Sequence, residues 1–385
     1  MTRVELTRRP RKSVRGPEDR SRPILVVMGT RPEAIKLAPV VDSLRRLDAW
    51  PVVVVATSQH RDMLTQAMAA FNVHPDSDLD LMRPGQTPTQ VAVAVMTGMD
   101  VLFRKLHPVA VIVQGDTTTA LATAWGAFYS RIPVIHVEAG LRTRRLDSPF
   151  PEEFHRRGLA VVAALSFAPT ESAKRNLLSE GVSESSIHVV GNTVVDAVRR
   201  ILGPRPRNRN KVSNRLVLVT LHRRESFGGR LEDVLRCIRR IAVERPGAVR
   251  FVFPVHPNPN VAEPVRRILS GVSGVELVPP MDYPDFLRAL ANARFAMSDS
   301  GGVQEEAPTV GTPVLILRDT TERPEVLESG WGRLVGTDSR RILKDARKLL
   351  DDDDALAAMM KGSNPFGDGR AANRIAATLA GTFRS

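Results

Sequence analysis

The sequence has a single cysteine, Cys237, among its 385 residues. No disulfide can form within the chain and no cysteine-rich metal site is available, which is typical of a cytoplasmic protein. Aromatic residues make up only 5% of the chain, too few for the stacked rings that bind single-stranded nucleic acid. The longest apolar runs, such as residues 24–28 and 52–56, have the length of strands and cannot cross a membrane. We therefore expect neither a nucleic-acid partner nor a membrane partner.

Positive charge exceeds negative charge, and the net charge is +13. The first 23 residues hold eight Arg or Lys residues against three acidic residues, with few apolar residues between them. They contain no apolar stretch of the kind found in a secretory signal. We interpret residues 1–22 as a disordered basic leader. The positive excess in the rest of the chain suits a small polyanionic ligand such as a nucleotide diphosphate.

After the leader, short β-branched runs alternate with longer amphipathic segments. The strands predicted from this pattern are residues 24–28, 51–56, 109–113, 134–137, 216–220, 251–255, 275–278, 295–298 and 313–317. Strands that alternate with helices in this way predict parallel sheets with helices on both faces. The fold class is therefore α/β.

A segment rich in Pro, Arg and Asn at residues 201–214 has no apolar period and predicts a linker. We predict two Rossmann-like, doubly wound domains, residues 23–200 and 215–365, that face a central cleft. The final segment, residues 366–385, is predicted to form a helix that packs back on the first domain. In such folds the functional residues follow the carboxyl ends of the strands.

The first strand is followed by the sequence GTRPEAIK at residues 29–36. Thr30 and Glu33 have the spacing of a capping box at a helix N-terminus. Arg31 and Lys36 then lie close to a helix end that favours anions. The G-x-G-x-x-G spacing of dinucleotide-binding folds is absent, so we expect no nicotinamide or flavin cofactor at this turn.

Three carboxylates follow consecutive elements of the first half. Asp116 and Glu138 end neighbouring predicted strands, and Glu152 begins the next helix. We expect them to gather at one edge of the cleft, where like charges push one pKa up and leave another group ionised. In the second half, His222 and His256 follow strands in equivalent positions. The histidines lack metal-ligand spacing, so we predict no metal site.

The sequence SDSGGVQEEA at residues 298–307 ends a strand and begins a helix. Ser300, Gly301 and Gly302 expose backbone N–H groups of the kind that cradle phosphate. Glu306 lies one turn further on, where an acidic residue accepts hydrogen bonds from a ribose diol in nucleotide folds. Arg323 follows another strand and adds a cation to this anion-binding set.

Taken together, these motifs resemble those of the non-hydrolysing UDP-N-acetylglucosamine 2-epimerases, from about residue 23 to the C-terminus. The segments that carry the resemblance are residues 29–36, 114–118, 136–143, 151–153, 222–225, 298–308 and 319–325. The resemblance implies a GT-B fold and no cofactor. It also implies reversible conversion of UDP-N-acetylglucosamine to UDP-N-acetylmannosamine, by elimination of UDP to 2-acetamidoglucal and re-addition.

The resemblance also implies roles for individual residues. Asp116, Glu138 and Glu152 would form the acid–base and electrostatic set, assisted by His222. The residues that would bind substrate and UDP are Arg31, Lys36, His256, Ser300, Gly301, Gly302, Glu306 and Arg323. Gln59, His60 and Arg61 match a segment that binds a second UDP-N-acetylglucosamine as an activator. A homodimer is expected by the same resemblance.

The sequence departs from the family pattern at several positions. His155 and Ser226 stand where Asn is common, and residues 157–165 follow the pattern poorly. Two variants of the chemistry stay open: a UDP-diacetamido-uronic acid as substrate, with Arg144, Arg145 or Arg157 facing its carboxylate, or release of free N-acetylmannosamine after attack by water. A glycosyltransferase of the GT-B fold is a further alternative, but the three carboxylates at one edge count against it.

Overall fold

The computed structural model describes residues 22–57, 61–81, 83, 85–203, 215–223 and 227–383. Most of the predicted leader and residues 204–214 of the predicted linker lie outside these ranges. Within them the chain forms two parallel β-sheets, each with helices on both faces. The prediction of two doubly wound α/β layers is confirmed.

The first sheet has seven parallel strands in the order β3-β2-β1-β4-β5-β6-β7. Their bounds are β1 Ile24–Met28, β2 Val52–Ala56, β3 Ser77–Asp78, β4 Ala110–Gln114, β5 Val134–Val137, β6 Ala163–Ala168 and β7 Ile187–Val189. The helices between and after them are α1 Arg31–Leu47, α2 Arg61–Ala70, α3 Pro88–Leu106, α4 Thr118–Tyr129, α5 Glu152–Val162, α6 Glu171–Ser179 and α7 Thr193–Leu202. Every residue of β1 and β4 is buried, as expected for central strands covered on both faces.

The second sheet has six parallel strands in the order β10-β9-β8-β11-β12-β13. Their bounds are β8 Leu216–Thr220, β9 Arg250–Pro254, β10 Val275–Val278, β11 Phe295–Ser298, β12 Val314–Ile316 and β13 Gly332–Leu334. The helices of this part of the chain are α8 Gly229–Glu244, α9 Pro259–Leu269, α10 Tyr283–Asn292, α11 Gly301–Val310, α12 Pro324–Glu328, α13 Ser339–Asp351, α14 Asp353–Met359 and α15 Ala371–Phe383.

The two lobes share packed surfaces. Helix α7 of the first lobe contacts α10 and α11 of the second, and one apolar core runs through both. The last helix, α15, packs on α1 and α7, and the Asp196 carboxylate accepts hydrogen bonds from Ala371 and Ala372 at its N-terminus. The strand order reverses between β1 and β4 and between β8 and β11, so each sheet has its ligand crevice at those strand ends. None of the helices in the described ranges is both long and apolar enough to cross a bilayer.

Candidate active site

The turn after β1 is fastened to the start of α4 by one buried carboxylate. Glu33 accepts hydrogen bonds from the backbone N–H of Gly29 at 2.9 Å and of Thr30 at 2.6 Å, and from the Thr117 hydroxyl at 2.7 Å. A Cβ atom at Gly29 would lie 2.7 Å or less from the hydroxyls of Thr57 and Thr119, so the close packing requires glycine. Glu33 therefore fixes the turn that leads to Arg31 and Lys36.

Lys36 lies at the junction of the two lobes. Its ammonium donates a hydrogen bond to the Glu138 carboxylate and lies 2.7 Å from Oε2 of Glu305. Burial alone would lower the pKa of Lys36, but the two carboxylates outweigh burial and raise it. The side chain of Lys36 is therefore a buried, charged link between α1, the end of β5 and α11.

The two carboxylates that share Lys36 differ in their proton affinity. Burial, reinforced by the negative charge of Glu305, raises the pKa of Glu138. Burial would also raise the pKa of Glu305, but the cations of Arg323 and Lys36 reverse the shift and lower it. Environments that push two carboxyl pKa values apart separate a proton carrier from a fixed charge. Glu138 is the carboxyl that can take up a proton.

Arg323 precedes α12, and its guanidinium lies against the N-terminal end of α11. Its guanidinium donates to Glu305 and, at 2.5 Å, to Glu322, and a Cβ atom at Gly301 would lie 2.6 Å from its Nη1. Arg318 pairs with the other oxygen of Glu322 at 2.9 Å. The first N–H groups of a helix favour anions, so the N-terminus of α11, with Ser300 at the N-cap and the less crowded Gly302, is a candidate anion-binding surface beside these cations.

Asp116 lies at the end of β4, next to Glu138 at the end of the adjacent β5. The backbone carbonyl of Asp116 accepts a hydrogen bond from Nδ1 of His155 at 2.7 Å. His155, which stands where Asn is common in the family resembled, therefore holds the turn after β4. The carboxylate of Asp116 is about one third exposed and lies 3.4 Å from Nη1 of Arg156. Arg156 is buried and also lies 3.4 Å from Glu153. The carboxylate is thus oriented by a cation while its outer side faces solvent.

The backbone carbonyl of Gly115, one residue before Asp116, is also held by a histidine. Nε2 of His136 lies 2.8 Å from the Gly115 carbonyl, and because a carbonyl can only accept, that nitrogen carries the proton. Burial lowers the pKa of His136 to about 4, so the ring is neutral at pH 7.

Glu152, at the start of α5, has a buried Oε2 for which no hydrogen-bond partner is found within the described residues. That oxygen keeps an unused capacity to accept a hydrogen bond.

The second lobe contributes a histidine oriented by an aspartate. Nδ1 of His222 lies 3.2 Å from the buried Asp299 carboxylate, which also accepts from the backbone N–H of His222 and Arg223. The His222 ring stacks on that of His256, with 6.0 Å between ring centroids. Asp299 therefore fixes the His222 ring so that its Nε2 points away from the carboxylate.

Glu306 is buried between lobes. Arg31 lies over the ring of Tyr283, 5.9 Å from its centroid. Both residues lower the pKa of Glu306, against the larger effect of burial. The Tyr283 hydroxyl is near this carboxyl but does not reach hydrogen-bond geometry with it. Burial raises the pKa of Glu306 to about 7, against 4.5 for an ordinary Glu. At neutral pH the group is poised between an acceptor and a donor of hydrogen bonds.

This pKa predicts a dependence of stability on pH. Between pH 4.5 and about 7 the folded chain keeps a proton on Glu306 that the unfolded chain has lost, so folding stability falls as pH rises through this window. The contribution is about 3 kcal/mol over the whole window, at about 1.4 kcal/mol per pKa unit. Urea unfolding of the wild type and Glu306→Gln from pH 4.5 to 7.5 measures it, because only the wild type carries this term. Parallel curves for the two proteins would contradict the assignment.

The part of the chain that the structure describes holds no group of three or more His, Cys, Asp or Glu side chains arranged to bind a metal. Gln59 and His60 of the predicted activator segment lie outside the described residues, and for Arg61 only its place at the start of α2 is described. The activator site and the homodimer stay predictions.

A family model described as UDP-N-acetylglucosamine 2-epimerase matches residues 42–380. The chain belongs to this family. It is 46% identical over 368 residues to the UDP-N-acetylglucosamine 2-epimerase of Yersinia pestis, a match that covers 92% of this chain and 98% of the relative. Identity to the Escherichia coli K12 enzyme of the same name is 45%, with the same coverage of both chains.

Solved structures agree with this assignment to the epimerase family. The crystal structure of UDP-GlcNAc 2-epimerase from Neisseria meningitidis bound to UDP-GlcNAc is 39% identical and superposes with a TM-score of 0.87, covering 93% of this chain and all of that one. A glycosyltransferase from Streptomyces nogalater is only 16% identical, with a TM-score of 0.56 and coverage of 94% and 99%. That likeness shows the two-lobed fold alone.

Several residues of this candidate site are not among those predicted from the sequence. Glu305 is next to the predicted Glu306 but was interpreted as part of a helix start, although it is completely buried. Asn192 caps α7 and also donates to Glu138 at 3.1 Å. Asp299 meets His222 and Arg156 meets Asp116, and both partners are distant in the sequence, whereas the second partner of Arg156, Glu153, lies one helical turn away. For Asp299 the available signal was an acidic residue directly after a strand, β11.

Proposed function

We propose that this chain interconverts UDP-N-acetylglucosamine and UDP-N-acetylmannosamine without net hydrolysis. The observation that carries the proposal is the buried junction of Lys36, Glu138, Glu305 and Arg323. It joins a carboxyl with raised pKa to the anion-binding end of α11. A reaction that moves a proton at carbon 2 and a diphosphate at carbon 1 needs these two functions side by side.

The first step is elimination. The bond from C1 to the diphosphate oxygen breaks, and its electron pair leaves with UDP. The proton on C2 passes to a carboxylate, and the C–H electron pair forms the C1–C2 double bond of 2-acetamidoglucal. Because that proton is not acidic, cation character at C1 must develop as UDP leaves, and nearby carboxylates stabilise it. Asp116, Glu138 and Glu152 are the groups proposed for this work, with His222 assisting.

The second step is re-addition. A proton is delivered to the opposite face of C2, the double-bond electrons form the new C–H bond, and the diphosphate oxygen closes on C1. UDP must stay bound between the two steps. Arg31 and Arg323, with the N–H groups of Gly301 and Gly302, are proposed to hold it, and Glu306 to bind the ribose. The Lys36 and Glu138 side chains are each only 7% exposed, which supports exclusion of water and hence a non-hydrolysing reaction.

The alternatives gain no support from particular residues. Of the three arginines that could face a uronic-acid carboxylate, Arg145 pairs with Asp147 at 3.4 Å, and Arg157 lies within 4 Å of Glu153 and Glu180. The plain N-acetylated sugar is proposed as the substrate because relatives about 45% identical to this chain are named UDP-N-acetylglucosamine 2-epimerases.

The test is NMR of the protein with UDP-N-acetylglucosamine in D₂O containing EDTA. We expect UDP-N-acetylmannosamine to form, with deuterium at C2 of both epimers, because each passage through the glycal exchanges that proton with solvent. Free N-acetylmannosamine plus UDP as the main products would instead show the hydrolysing reaction. No deuterium at C2 in either epimer would contradict the elimination mechanism.

A further inference from the structure

Glu305 touches the cations of both lobes. It is completely buried in α11, and its Oε1 accepts a hydrogen bond from Nε of Arg323. Its Oε2 lies 2.7 Å from Nζ of Lys36, which belongs to the other lobe. One carboxylate thus connects the cation at the N-terminus of α11 with the cation of α1.

Lys36 in turn holds the carboxyl with the raised pKa. Its ammonium donates to Oε2 of Glu138, and the same oxygen accepts from Nδ2 of Asn192 at 3.1 Å. Glu138 follows β5 with a left-handed backbone, φ 65°, so its backbone direction is set by the turn. The position of its carboxyl oxygen is then set by the two donors.

We propose that Glu305 is a positioning residue of the reaction, whose carboxylate fixes the Lys36 ammonium, and through it Glu138, when the two lobes meet. This inference rests on the proposed epimerase function. Glu305 does not touch the sugar; it acts through Lys36.

The arrangement links the nucleotide end of the site to the sugar end. Arg323 lies against Gly301, where a diphosphate would bind, and it holds the oxygen of Glu305 opposite to the one that faces Lys36. A carboxylate fixed on one side by a guanidinium presents its second oxygen in a defined place. Lys36, Glu138 and Asn192 all belong to the first lobe, so contact between the lobes adds Glu305 as the second carboxylate partner of Lys36.

The charge of Glu305 affects the pKa of Glu138, and a purely structural role of Glu305 would leave that pKa unchanged. The groups that face Glu138 are Lys36 of α1, Asn192 before α7, Glu305 of α11 and Arg323 before α12. The negative charge of Glu305 favours the protonated form of Glu138, and Lys36 opposes it. Removing the charge of Glu305 leaves Lys36 to Glu138 alone, so the pKa of Glu138 falls.

The test compares Glu305→Gln with the wild type in kcat, KM and the pH profile of kcat/KM. We expect kcat to fall by about 10²-fold, the scale expected when a catalytic group is misplaced by about 1 Å. KM should change less, because Arg323 keeps Glu322 as a partner. The limb of the profile that reports Glu138 should move to lower pH.

A matched control is Glu322→Gln, which removes the other carboxylate of Arg323 and has no contact with Lys36 in the described structure. It should alter affinity for UDP and leave that pH limb in place. If Glu305→Gln does not fold, Glu305→Asp keeps the charge but shortens the reach, so kcat should fall while UDP binding persists. Unchanged kcat and an unmoved limb in the folded Glu305 variant would overturn the inference. Absence of C2 exchange in the wild type would instead overturn the proposed function.

Discussion

Asp116→Asn and Glu138→Gln are each expected to lower kcat by about 10²–10⁴-fold, the range measured for loss of a general acid or base. Both substitutions keep the shape of the side chain and remove its capacity to carry a proton. In the proposed site the nucleotide is held mainly by the other lobe, through Arg323 and α11, so we expect UDP affinity to stay near the wild-type value. Initial rates from NMR and UDP binding by calorimetry measure the two quantities separately.

Solvent exchange distinguishes the roles of these two carboxyl groups. If one serves each face of C2, the Asp116 and Glu138 variants will differ in which epimer still gains deuterium. Assays that start from each UDP-sugar in turn will show this difference. Asp100→Asn is the matched control, since Asp100 pairs with Arg104 on the outer side of α3, and it should have normal turnover. Near-normal turnover in both site variants would contradict the acid–base assignment.

The central strands and their helices could be predicted because burial leaves a clear pattern. The bounds of β1, β5, β8, β10 and β11 agree with the sequence prediction residue for residue. In β1, β5 and β11 every residue is buried, so each appears as a short, almost wholly apolar run between turn residues. The strand ends then placed Asp116 and Glu138 side by side without further information.

The outer strands gave no comparable pattern. β3, β7 and β13 have two or three residues each, too few for a period to be recognised. β6 was missed for a different reason: α5 ends at Val162 and β6 begins at Ala163 with no turn between them. The predicted linker was also too long at its start, since α7 continues through Leu202.

Contacts between lobes could not be predicted from the sequence. Lys36 and Glu305 are 269 positions apart, yet they meet at 2.7 Å, and local pattern contains no information about such a pair. The helix-start motif around Gly301 indicated an anion site with Arg323 beside it, but it did not indicate that Arg323 would pair with Glu305 and Glu322. Buried charge networks depend on tertiary geometry, because each charge is tolerated only with its partners in place.

Arg323→Met is expected to have the largest effect on stability. Arg323 is buried and pairs with two carboxylates, Glu305 and Glu322. Methionine fills much of the space of the side chain but leaves both acids without their shared cation. Removing one member of a buried ion pair costs about 3–5 kcal/mol, so the midpoint of urea unfolding should fall markedly. Arg333→Met is the control, because Arg333 forms a partly exposed pair with Asp345 and exposed pairs contribute about 0–1 kcal/mol.

A second substitution at this position, Arg323→Lys, separates a structural cation from a nucleotide-binding one. If Arg323 only neutralises Glu305 and Glu322, then Arg323→Lys, which keeps the charge, should recover both stability and UDP affinity. If it also binds the diphosphate through its planar fork, lysine should recover stability more than affinity, because a single ammonium cannot reproduce two parallel hydrogen bonds. We expect the second outcome, since the guanidinium lies against Gly301 at the N-terminus of α11. Equal recovery of both quantities would limit Arg323 to the structural role and leave diphosphate binding to the helix end and Arg31.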